Sequence, residues 1–308
     1  MRLAVIDLGT NTFHLLIAES GGKDFTILYK TNVPVKLGEG RINDNVIIPE
    51  AFERGISTIK EFRKKIEEYS VDKVRATATS AIRSAENGKD FVRSAWEQAQ
   101  ISIEIITGDE EAASIYEGIK LSGAIDELAL IMDIGGGSVE FILCNTEELI
   151  WKKSYNIGAA RLMQKFFKSD PISDDDKNAI INHIQNQLND LFEICSLHQP
   201  QTLIGSAGAF ETFAELIIRK NNEPVNISEL KVYKFNYDNY TSTTLALINA
   251  THNERATMPG MIPLRVDMSV IAALITNYVM ERLKIKKLKL STYDLKMGVL
   301  AGLLRDLA

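Results

Sequence analysis

A strand–turn–strand segment that occurs twice is the feature that most constrains the fold of this chain. The first copy, LAVIDLGTNTFHLLIA, covers residues 3–18, and the second, ALIMDIGGGSVEFILC, covers residues 129–144. In each copy an apolar run ends at an aspartate, turns through glycine and small polar residues, and resumes as a second apolar run. This pattern predicts a β-hairpin. Two copies within one chain predict two similar domains.

The turns of the two copies carry residues that suit phosphate. Aligned without a gap, Asp7 coincides with Asp133, and Gly9 coincides with Gly135. Turns of this kind expose backbone N–H groups that bind anions, while an aspartate suits a hard divalent cation. The sequence therefore predicts two phosphate-binding loops, one on each domain, that face each other.

The composition is that of an ordinary globular protein. The 308 residues are enough for two domains, 45% of them are hydrophobic, and the formal net charge is −6. A nucleic-acid partner is not expected because such proteins normally carry a basic excess. No signal peptide or apolar stretch long enough for a bilayer is evident, and Cys144 and Cys195 lack metal-ligand spacing. We expect a cytoplasmic protein with no membrane partner and two buried thiols, and a homodimer is compatible with the sequence.

Alternating strand and helix patterns predict sheets covered by helices. Within this plan we expect separate strands at residues 25–30 and 32–36, and one long helix over residues 174–195. Residues 221–240 are polar and irregular, which indicates a peripheral insertion.

The second loop carries the stronger phosphate signal. Gly135, Gly136 and Gly137 are consecutive and precede Ser138. Because three glycines weaken a sheet, a close approach of a phosphate to the backbone explains them better than a flexible turn. Glu140 lies on the returning strand, where alternation directs it toward a cleft if its neighbours face the core.

Three further candidates stay open on their residues alone. Glu110 and Glu111 begin a helix, where they either interact with the helix dipole or orient a water molecule for hydrolysis. Arg83 follows a strand and is either a surface arginine or a clamp for phosphate oxygens. Gly205 and Ser206 precede a helix and form either an anion-binding loop or an ordinary turn.

Two other groups of residues have simpler interpretations. One is the only local basic cluster, which suggests a helix end and a solvated strand more than a polyphosphate surface. It consists of Arg282, Lys284, Lys286, Lys287 and Lys289. The four histidines show no ligand spacing, and we interpret them as structural.

Seven segments in order resemble the motifs of the exopolyphosphatase / guanosine pentaphosphate phosphohydrolase (Ppx/GppA) family, and the resemblance covers essentially the whole chain. They are DLGTNTFHLLI (7–17), TATSAIRSAEN (77–87), ITGDEEAASIYEG (106–118), DIGGGSVEF (133–141), NIGAARLM (156–163), GSAGAF (205–210) and PLRVDM (263–268).

The resemblance implies an α/β fold of two actin-like (ASKHA, ribonuclease H-like) domains. Each would have a mixed sheet flanked by helices, with the active site in the interdomain cleft. We expect a first domain at residues 1–122 and a second at 123–293, with a C-terminal helix at about 294–308 that packs back on the first. Longer members continue into an HD-type helical domain, which we do not expect here.

The resemblance also implies site residues. The catalytic glutamate of the family corresponds to Glu111, and its metal-binding carboxylates correspond to Asp133 and Glu140, with Asp7 nearby. The metal would be Mg²⁺ or another divalent cation. The phosphate-contacting positions of the first loop correspond to Thr10 and Asn11, and the clamp arginine of the family corresponds to Arg83. From the residues themselves we also expect phosphate contacts at Gly135, Gly136, Gly137 and Ser138, and at Gly205 and Ser206.

Two positions depart from the family pattern. Val139 stands where the second loop usually has threonine, and Met297 stands in a segment that often reads Leu-Arg-Glu-Gly. The implied activity is metal-dependent hydrolysis of terminal phosphoanhydride bonds in polyphosphate or guanosine pentaphosphate. Two alternatives stay open: a phosphotransferase (kinase) of the same superfamily, and a non-catalytic sensor of alarmone or polyphosphate.

Overall fold

The computed structural model describes residues 1–21 and 24–307, so that Ala308, the end of the predicted last helix, lies outside the described residues. The first half contains five strands and four α-helices. The strands are β1 (Arg2–Leu8), β2 (Thr12–Gly21), β3 (Asp24–Pro34), β4 (Lys73–Ala78) and β5 (Ile103–Ile105). The helices are α1 (Pro49–Glu68), α2 (Ser80–Ser84), α3 (Gly88–Ala99) and α4 (Gly108–Ser122).

The second half contains six strands and eight α-helices. The strands are β6 (Ala129–Ile134), β7 (Val139–Cys144), β8 (Leu149–Tyr155), β9 (Thr202–Ser206), β10 (Val232–Lys234) and β11 (Lys287–Ser291). The helices are α5 (Ala159–Phe166), α6 (Asp174–Gln187), α7 (Asn189–His198), α8 (Ala207–Asn221), α9 (Tyr237–Asn249), α10 (His252–Ala256), α11 (Met268–Leu283) and α12 (Leu295–Arg305).

Both halves form the same kind of mixed sheet. The first sheet has the order β3-β2-β1-β4-β5, in which β3, β2 and β1 are antiparallel and β1, β4 and β5 are parallel. The second repeats this order as β8-β7-β6-β9-β11 and adds β10 as an antiparallel edge strand. The predicted pair of mixed sheets flanked by helices is confirmed.

Helices α4 and α12 lie between the two sheets. Their apolar side chains share one core with residues from both sheets, among them Val5 of β1 and Ile131 of β6. The two helices approach closely because Gly118 and Gly298 face each other's backbone, where a Cβ atom would clash with a carbonyl oxygen. The N-terminus of α4 is thereby fixed relative to both sheets. With α12 packed on α4 and β1, we propose the expected bounds 1–122 and 123–293 as the domain limits.

Each sheet also has a core on its outer face. In the first half α1 and α3 cover β1, β2 and β4. In the second half α5–α9 and α11 cover β6, β7, β9 and β11. Cys144 and Cys195 are buried free thiols, as predicted. No helix within the described ranges is both long and apolar enough to cross a membrane.

Three local predictions are wrong. Residues 25–34 belong to one strand, β3, in which a bulge opposite Ile17 and Ala18 absorbs an extra residue, and residues 35 and 36 lie beyond its end. The predicted helix over 174–195 is two helices, because the chain turns at the buried Leu188 between α6 and α7. Part of the irregular segment 221–240 pairs with β11 as edge strand β10, and α9 begins within it at Tyr237.

Candidate active site

The two hairpin turns are closed by the same hydrogen bond at aligned positions. In the first, the amide of Gly9 donates to the carbonyl of Thr12 over 3.1 Å. In the second, the amide of Gly135 donates to the carbonyl of Ser138 over 3.0 Å. The duplicated sequence therefore folds into a duplicated turn. We call residues 9–11 the first loop and residues 135–138 the second loop.

The carbonyl groups of the first loop are bound from behind by the segment that follows β3. The amide of Gly38 donates to the carbonyl of Thr10 over 3.1 Å, and the amide of Lys36 donates to the carbonyl of Asn11 over 2.8 Å. The amides of Thr10 and Asn11 have no acceptor among the described residues. They remain available to a ligand.

The second loop is bound from behind in the same way. The first amides of α5 donate to the carbonyls of Gly135 and Gly136 over 2.9 Å each, and Arg161 Nε donates to the carbonyl of Gly137 over 3.2 Å. Within the described chain the amides of Gly136, Gly137 and Ser138 find no acceptor. Successive free amides form the kind of nest that binds phosphate oxygens.

The two loops contact each other. A Cβ atom on Gly136 would clash with Asn11 Nδ2 and lie 3.0 Å from Thr10 Cβ, and one on Gly137 would lie 2.9 Å from Thr10 Oγ1. The structure thus brings Thr10 and Asn11 against the second loop, where only glycine fits. The described conformation is one in which the two domains are close at the loops.

The two adjacent glutamates of helix α4 have different surroundings. Glu110 is exposed and forms a capping box, in which its carboxylate accepts from the amide of Thr107 over 2.7 Å. Glu111 is 7% exposed and does not take part in the cap. The helix-dipole interpretation therefore describes Glu110, and Glu111 is left for another role.

Arg83 is the ion-pair partner of Glu111. Its Nη1 donates to Glu111 Oε2 over 2.8 Å and to the carbonyl of Ile106 over 3.0 Å. Burial raises the pKa of Glu111, while the adjacent Arg83 guanidinium opposes that rise. Arg83 is therefore a partly buried residue at the cleft and not a surface arginine.

Asp133 and Glu140 lie directly opposite each other on β6 and β7. Both are buried, and the hydrogen bonds they accept come from hydroxyl groups, those of Ser206 and Ser154 respectively. Burial raises the pKa of Asp133 to about 7, and it raises that of Glu140 well above its usual range. The charges of Glu111 and Asp133 raise the Glu140 pKa further.

The same position in the first hairpin carries a histidine. His14 lies opposite Asp7, as Glu140 lies opposite Asp133. Burial lowers the pKa of His14 to about 3, so its imidazole is neutral, and burial together with Asp294 raises the pKa of Asp7. The two copies share a backbone but differ in chemistry, and the second has one more carboxylate.

The buried carboxylates fit a divalent cation in their chemistry. Asp133 and Glu140 have oxygen donors, are buried, and accept no ion pair from a Lys or Arg among the described residues. No group of three or more His, Cys, Asp or Glu side chains in the described part of the chain encloses a metal position. Mg²⁺ suits such an incomplete site, because it is usually bound by one or two carboxylates together with water and substrate phosphates.

The predicted Gly205–Ser206 loop is the end of β9, which continues directly into α8. A Cβ on Gly205 would clash with the Phe210 ring, so packing accounts for that glycine. The hydroxyl of Ser206 donates to Asp133 and orients its carboxylate. Gly208 lies directly against the guanidinium of Arg265, whose pKa is lowered by burial and raised by nearby Glu211 and Asp133.

Four residues near the loops were not assigned a role from the sequence. Arg161 and Arg265 occur in motifs noted above, and position in a motif was their only signal. Asp294 caps α12 and pairs with Lys296, and the charges of both act on Asp7. Lys296 therefore keeps a positive charge near the carboxylates although the neighbouring family glutamate is replaced by Met297.

Two lysines of the basic cluster form ion pairs. Lys289 is buried and pairs with Asp126, and Lys287 pairs with Glu127 over 2.9 Å. The positive charges of β11 are therefore compensated by acidic residues before β6. Both contacts are consistent with the interpretation of this cluster as a helix end and a strand.

An open cavity of about 440 Å³ adjoins Arg83 at the mouth of the site. It is lined by residues from both halves of the chain: Arg83, Thr107, Gly108, Asp109, Ser154 and Asn156. Glu111 follows this lining on α4 and is bonded to Arg83. The cavity therefore reaches Arg83, the hydrogen-bond partner of the buried glutamate.

Comparison with known proteins gives consistent results over the whole chain. A family model described as the Ppx/GppA phosphatase family matches residues 16–307. The crystal structure of an exopolyphosphatase from Cytophaga hutchinsonii has a TM-score of 0.96 and 36% identity, covering 99% of this chain and 98% of the other. A crystal structure of the Ppx/GppA family member of Aquifex aeolicus, 24% identical with a TM-score of 0.82, covers 99% of this chain and 98% of that one. At this identity it supports the fold alone.

A sequence relative is longer than this chain. The guanosine-5′-triphosphate,3′-diphosphate pyrophosphatase of Pseudoalteromonas translucida is 28% identical over 306 residues, which is 99% of this chain. The chain spans 59% of the length of that relative. The similarity therefore concerns the part of the relative that corresponds to the two sheets described above.

Proposed function

Because the chain belongs to the Ppx/GppA phosphatase family, we propose that it hydrolyses terminal phosphoanhydride bonds in a metal-dependent reaction. The proposed substrates are inorganic polyphosphate and guanosine pentaphosphate, and the product is orthophosphate. The observation that carries the proposal is Glu111, a buried carboxylate paired with Arg83 beside two loops with free amides.

Phosphate binding is assigned to the loops. The amides of Gly136, Gly137 and Ser138 would bind oxygens of the terminal phosphate from one side, and Thr10 and Asn11 would bind them from the other. These groups are preorganised because their carbonyls are already bound from behind. Fixed donors stabilise the charge of the transferring phosphoryl group without reorganisation during the reaction.

Glu111 is assigned the role of general base. A carboxylate that orients and deprotonates water must lie near the phosphate and have a pKa close to the working pH. Burial raises the pKa of Glu111 in that direction, and Arg83 holds its carboxylate in a fixed orientation. Arg83 is also placed to contact phosphate oxygens through its remaining donors.

Asp133 and Glu140 are the residues that we propose as ligands of a divalent cation, with Asp7 nearby. Their carboxylates are buried without a Lys or Arg partner in the described structure. A bound Mg²⁺ would supply positive charge to the phosphate oxygens. Ser206 and Ser154 orient the two carboxylates through hydrogen bonds.

A phosphate-release assay tests the proposal. Tripolyphosphate, long-chain polyphosphate and guanosine pentaphosphate are incubated in parallel with Mg²⁺, with EDTA, and with no acceptor. We expect orthophosphate from at least one substrate with Mg²⁺ and none with EDTA. Phosphorylation of an added acceptor without release of orthophosphate would indicate a phosphotransferase, and tight binding without release would indicate a sensor.

A further inference from the structure

The hydroxyl of Ser80 is buried and has no hydrogen-bond partner. Ser80 is 2% exposed and begins α2 directly after β4. Its Oγ contacts no donor or acceptor within the described chain. Buried hydroxyl groups are nearly always paired, because an unpaired one costs stability. A buried hydroxyl without a partner at this position therefore requires an explanation.

The Ser80 hydroxyl faces the second loop. A Cβ atom on Gly137 would clash with Ser80 Oγ, and it would lie 2.9 Å from Ser80 Cβ and 2.9 Å from Thr10 Oγ1. Two hydroxyls of the first half of the chain, those of Ser80 and Thr10, thus converge on the glycine whose amide is free. The Ser80 hydroxyl therefore lies beside the loop whose free amides we assign to phosphate binding.

The chemistry of the surroundings favours an anionic oxygen as the missing partner. The carbonyls of the second loop are already bound by α5 and Arg161, so the loop presents amides on its free side. An oxygen that accepts from these amides has further lone pairs for a hydroxyl donor. A phosphate has several such oxygens, whereas a cation would be repelled by the N–H groups.

We propose that Ser80 is a phosphate-contacting residue whose hydroxyl donates to the phosphate held by the second loop. This inference rests on the proposed function, since it concerns a ligand of the same site. Ser80 adds a neutral donor from the opposite half of the chain, so phosphate binding joins the two halves at Gly137. The unpartnered hydroxyl is satisfied when phosphate binds.

The test compares binding in a background without turnover. Tripolyphosphate with Mg²⁺, and orthophosphate alone, are titrated calorimetrically into Glu111→Gln and into Glu111→Gln/Ser80→Ala. A hydrogen bond from a neutral donor to a charged oxygen predicts at least about a 10-fold weaker affinity for the Ser80→Ala form. Equal affinity of the two proteins for both ligands would overturn the proposal.

Thr243 provides a matched control. Its Oγ1 is also buried without a partner in the described structure, and it lies on α9 in the second half. Thr243→Val removes that hydroxyl as Ser80→Ala removes the other, so both should raise the melting temperature of the ligand-free protein. Only Ser80→Ala should weaken phosphate binding, and an equal loss in Thr243→Val would contradict the proposal.

The outcomes also separate this inference from the proposed function. If the wild-type chain releases phosphate and Ser80→Ala binds normally, the inference alone fails. If the wild-type chain releases no phosphate but Ser80→Ala weakens binding, the hydrolase proposal fails and the contact stands. If neither ligand binds to Glu111→Gln, both proposals are contradicted.

Discussion

Arg83 donates a hydrogen bond of 2.8 Å to Glu111, and both side chains are largely enclosed at the cleft. A buried ion pair depends strongly on both partners, because removal of one leaves the other charge uncompensated. The pair connects the segment after β4 to the N-terminus of α4. It therefore places the proposed base relative to α2, the helix that begins at Ser80.

Replacement of Arg83 tests this pairing. Arg83→Gln should lower kcat/KM by about 100-fold, since it removes a charge-assisted contact and raises the Glu111 pKa further. The acidic limb of the pH–rate profile should move to higher pH, because a base with a higher pKa loses its charge earlier as pH falls.

Arg93→Gln is the matched control for that change. Arg93 forms an exposed pair with Asp90 over 2.6 Å, and surface pairs of this kind contribute little. The Arg93→Gln variant should therefore have the kcat/KM and the pH–rate profile of the wild-type protein. An unchanged profile in Arg83→Gln would contradict the role of the pair.

The close approach of the loops predicts a strong effect of one methyl group. Gly137→Ala would place a Cβ against Ser80 and Thr10, and the loops would have to separate. Because small displacements at a reacting centre are costly, kcat/KM should fall by about 100-fold. Steady-state phosphate release measures this.

Gly302→Ala is the control for the added methyl. Gly302 lies in α12, and a Cβ atom on it would be 3.6 Å from the nearest atom, which belongs to Arg75. It should leave activity unchanged and stabilise the protein slightly, by roughly 0.5–1 kcal/mol. Equal activity of the two variants would show that the loops do not need their close contact.

Arg161 connects the second loop to the first half of the chain. Its Nε binds the carbonyl of Gly137, and its Nη1 donates to the carbonyl of Ile42 over 3.0 Å. Asn43 strengthens the same contact by donating to the carbonyl of Arg161 over 3.1 Å. Arg161→Gln should therefore lower kcat by about 10-fold, whereas Asn43→Ala, which leaves the loop bond intact, should raise KM only about 2- to 3-fold.

Two measurements distinguish loop geometry from domain contact in these variants. Small-angle scattering should show a wider ligand-free particle for both variants. At saturating substrate, Asn43→Ala should reach the wild-type rate and Arg161→Gln should not. If both variants lose kcat equally, the bond from Arg161 to Gly137 has no separate role.

His14 predicts a pH dependence of stability. Burial lowers its pKa from 6.5 to about 3, so below pH 6.5 the unfolded chain binds a proton that the folded chain does not. The contribution of neutral His14 to the free energy of unfolding is therefore complete above pH 6.5 and is lost as pH falls toward 3. The free energy of unfolding should fall by roughly 2 kcal/mol between pH 6.5 and about 5 for this reason.

Urea unfolding at several pH values measures this. His14→Gln should lose less stability on acidification than the wild-type protein, while His198→Gln, at an exposed position, should follow the wild type. Parallel pH curves for wild type and His14→Gln would contradict the assignment of a neutral, partly buried imidazole.

Local patterns predicted the elements that carry the site, because the hairpins and α4 are encoded by short sequence signals. Thr107 and Glu110 form a capping box that can be read from their spacing. The break at Leu188 could not be predicted, since no glycine or proline marks it.

Contacts between distant segments also could not be predicted from the sequence. Nothing local indicates that Arg161 binds Gly137 or that Ser80 faces it, because these contacts exist only when the two sheets are assembled. The basic cluster likewise could not be resolved until Lys289 was seen to pair with Asp126. Roles within the site remain predictions that the experiments above address.

Adjacent glutamates provide the most direct test of the central claim. Glu111→Gln and Glu110→Gln remove the same charge at neighbouring positions of α4, one buried beside Arg83 and one exposed in the cap. With tripolyphosphate and Mg²⁺, Glu111→Gln should lower kcat by about 1000-fold with binding retained, whereas Glu110→Gln should keep its activity and its fold, because glutamine can also form the capping box. Full activity of Glu111→Gln, or an equal loss in Glu110→Gln, would contradict the assignment of Glu111 as the base.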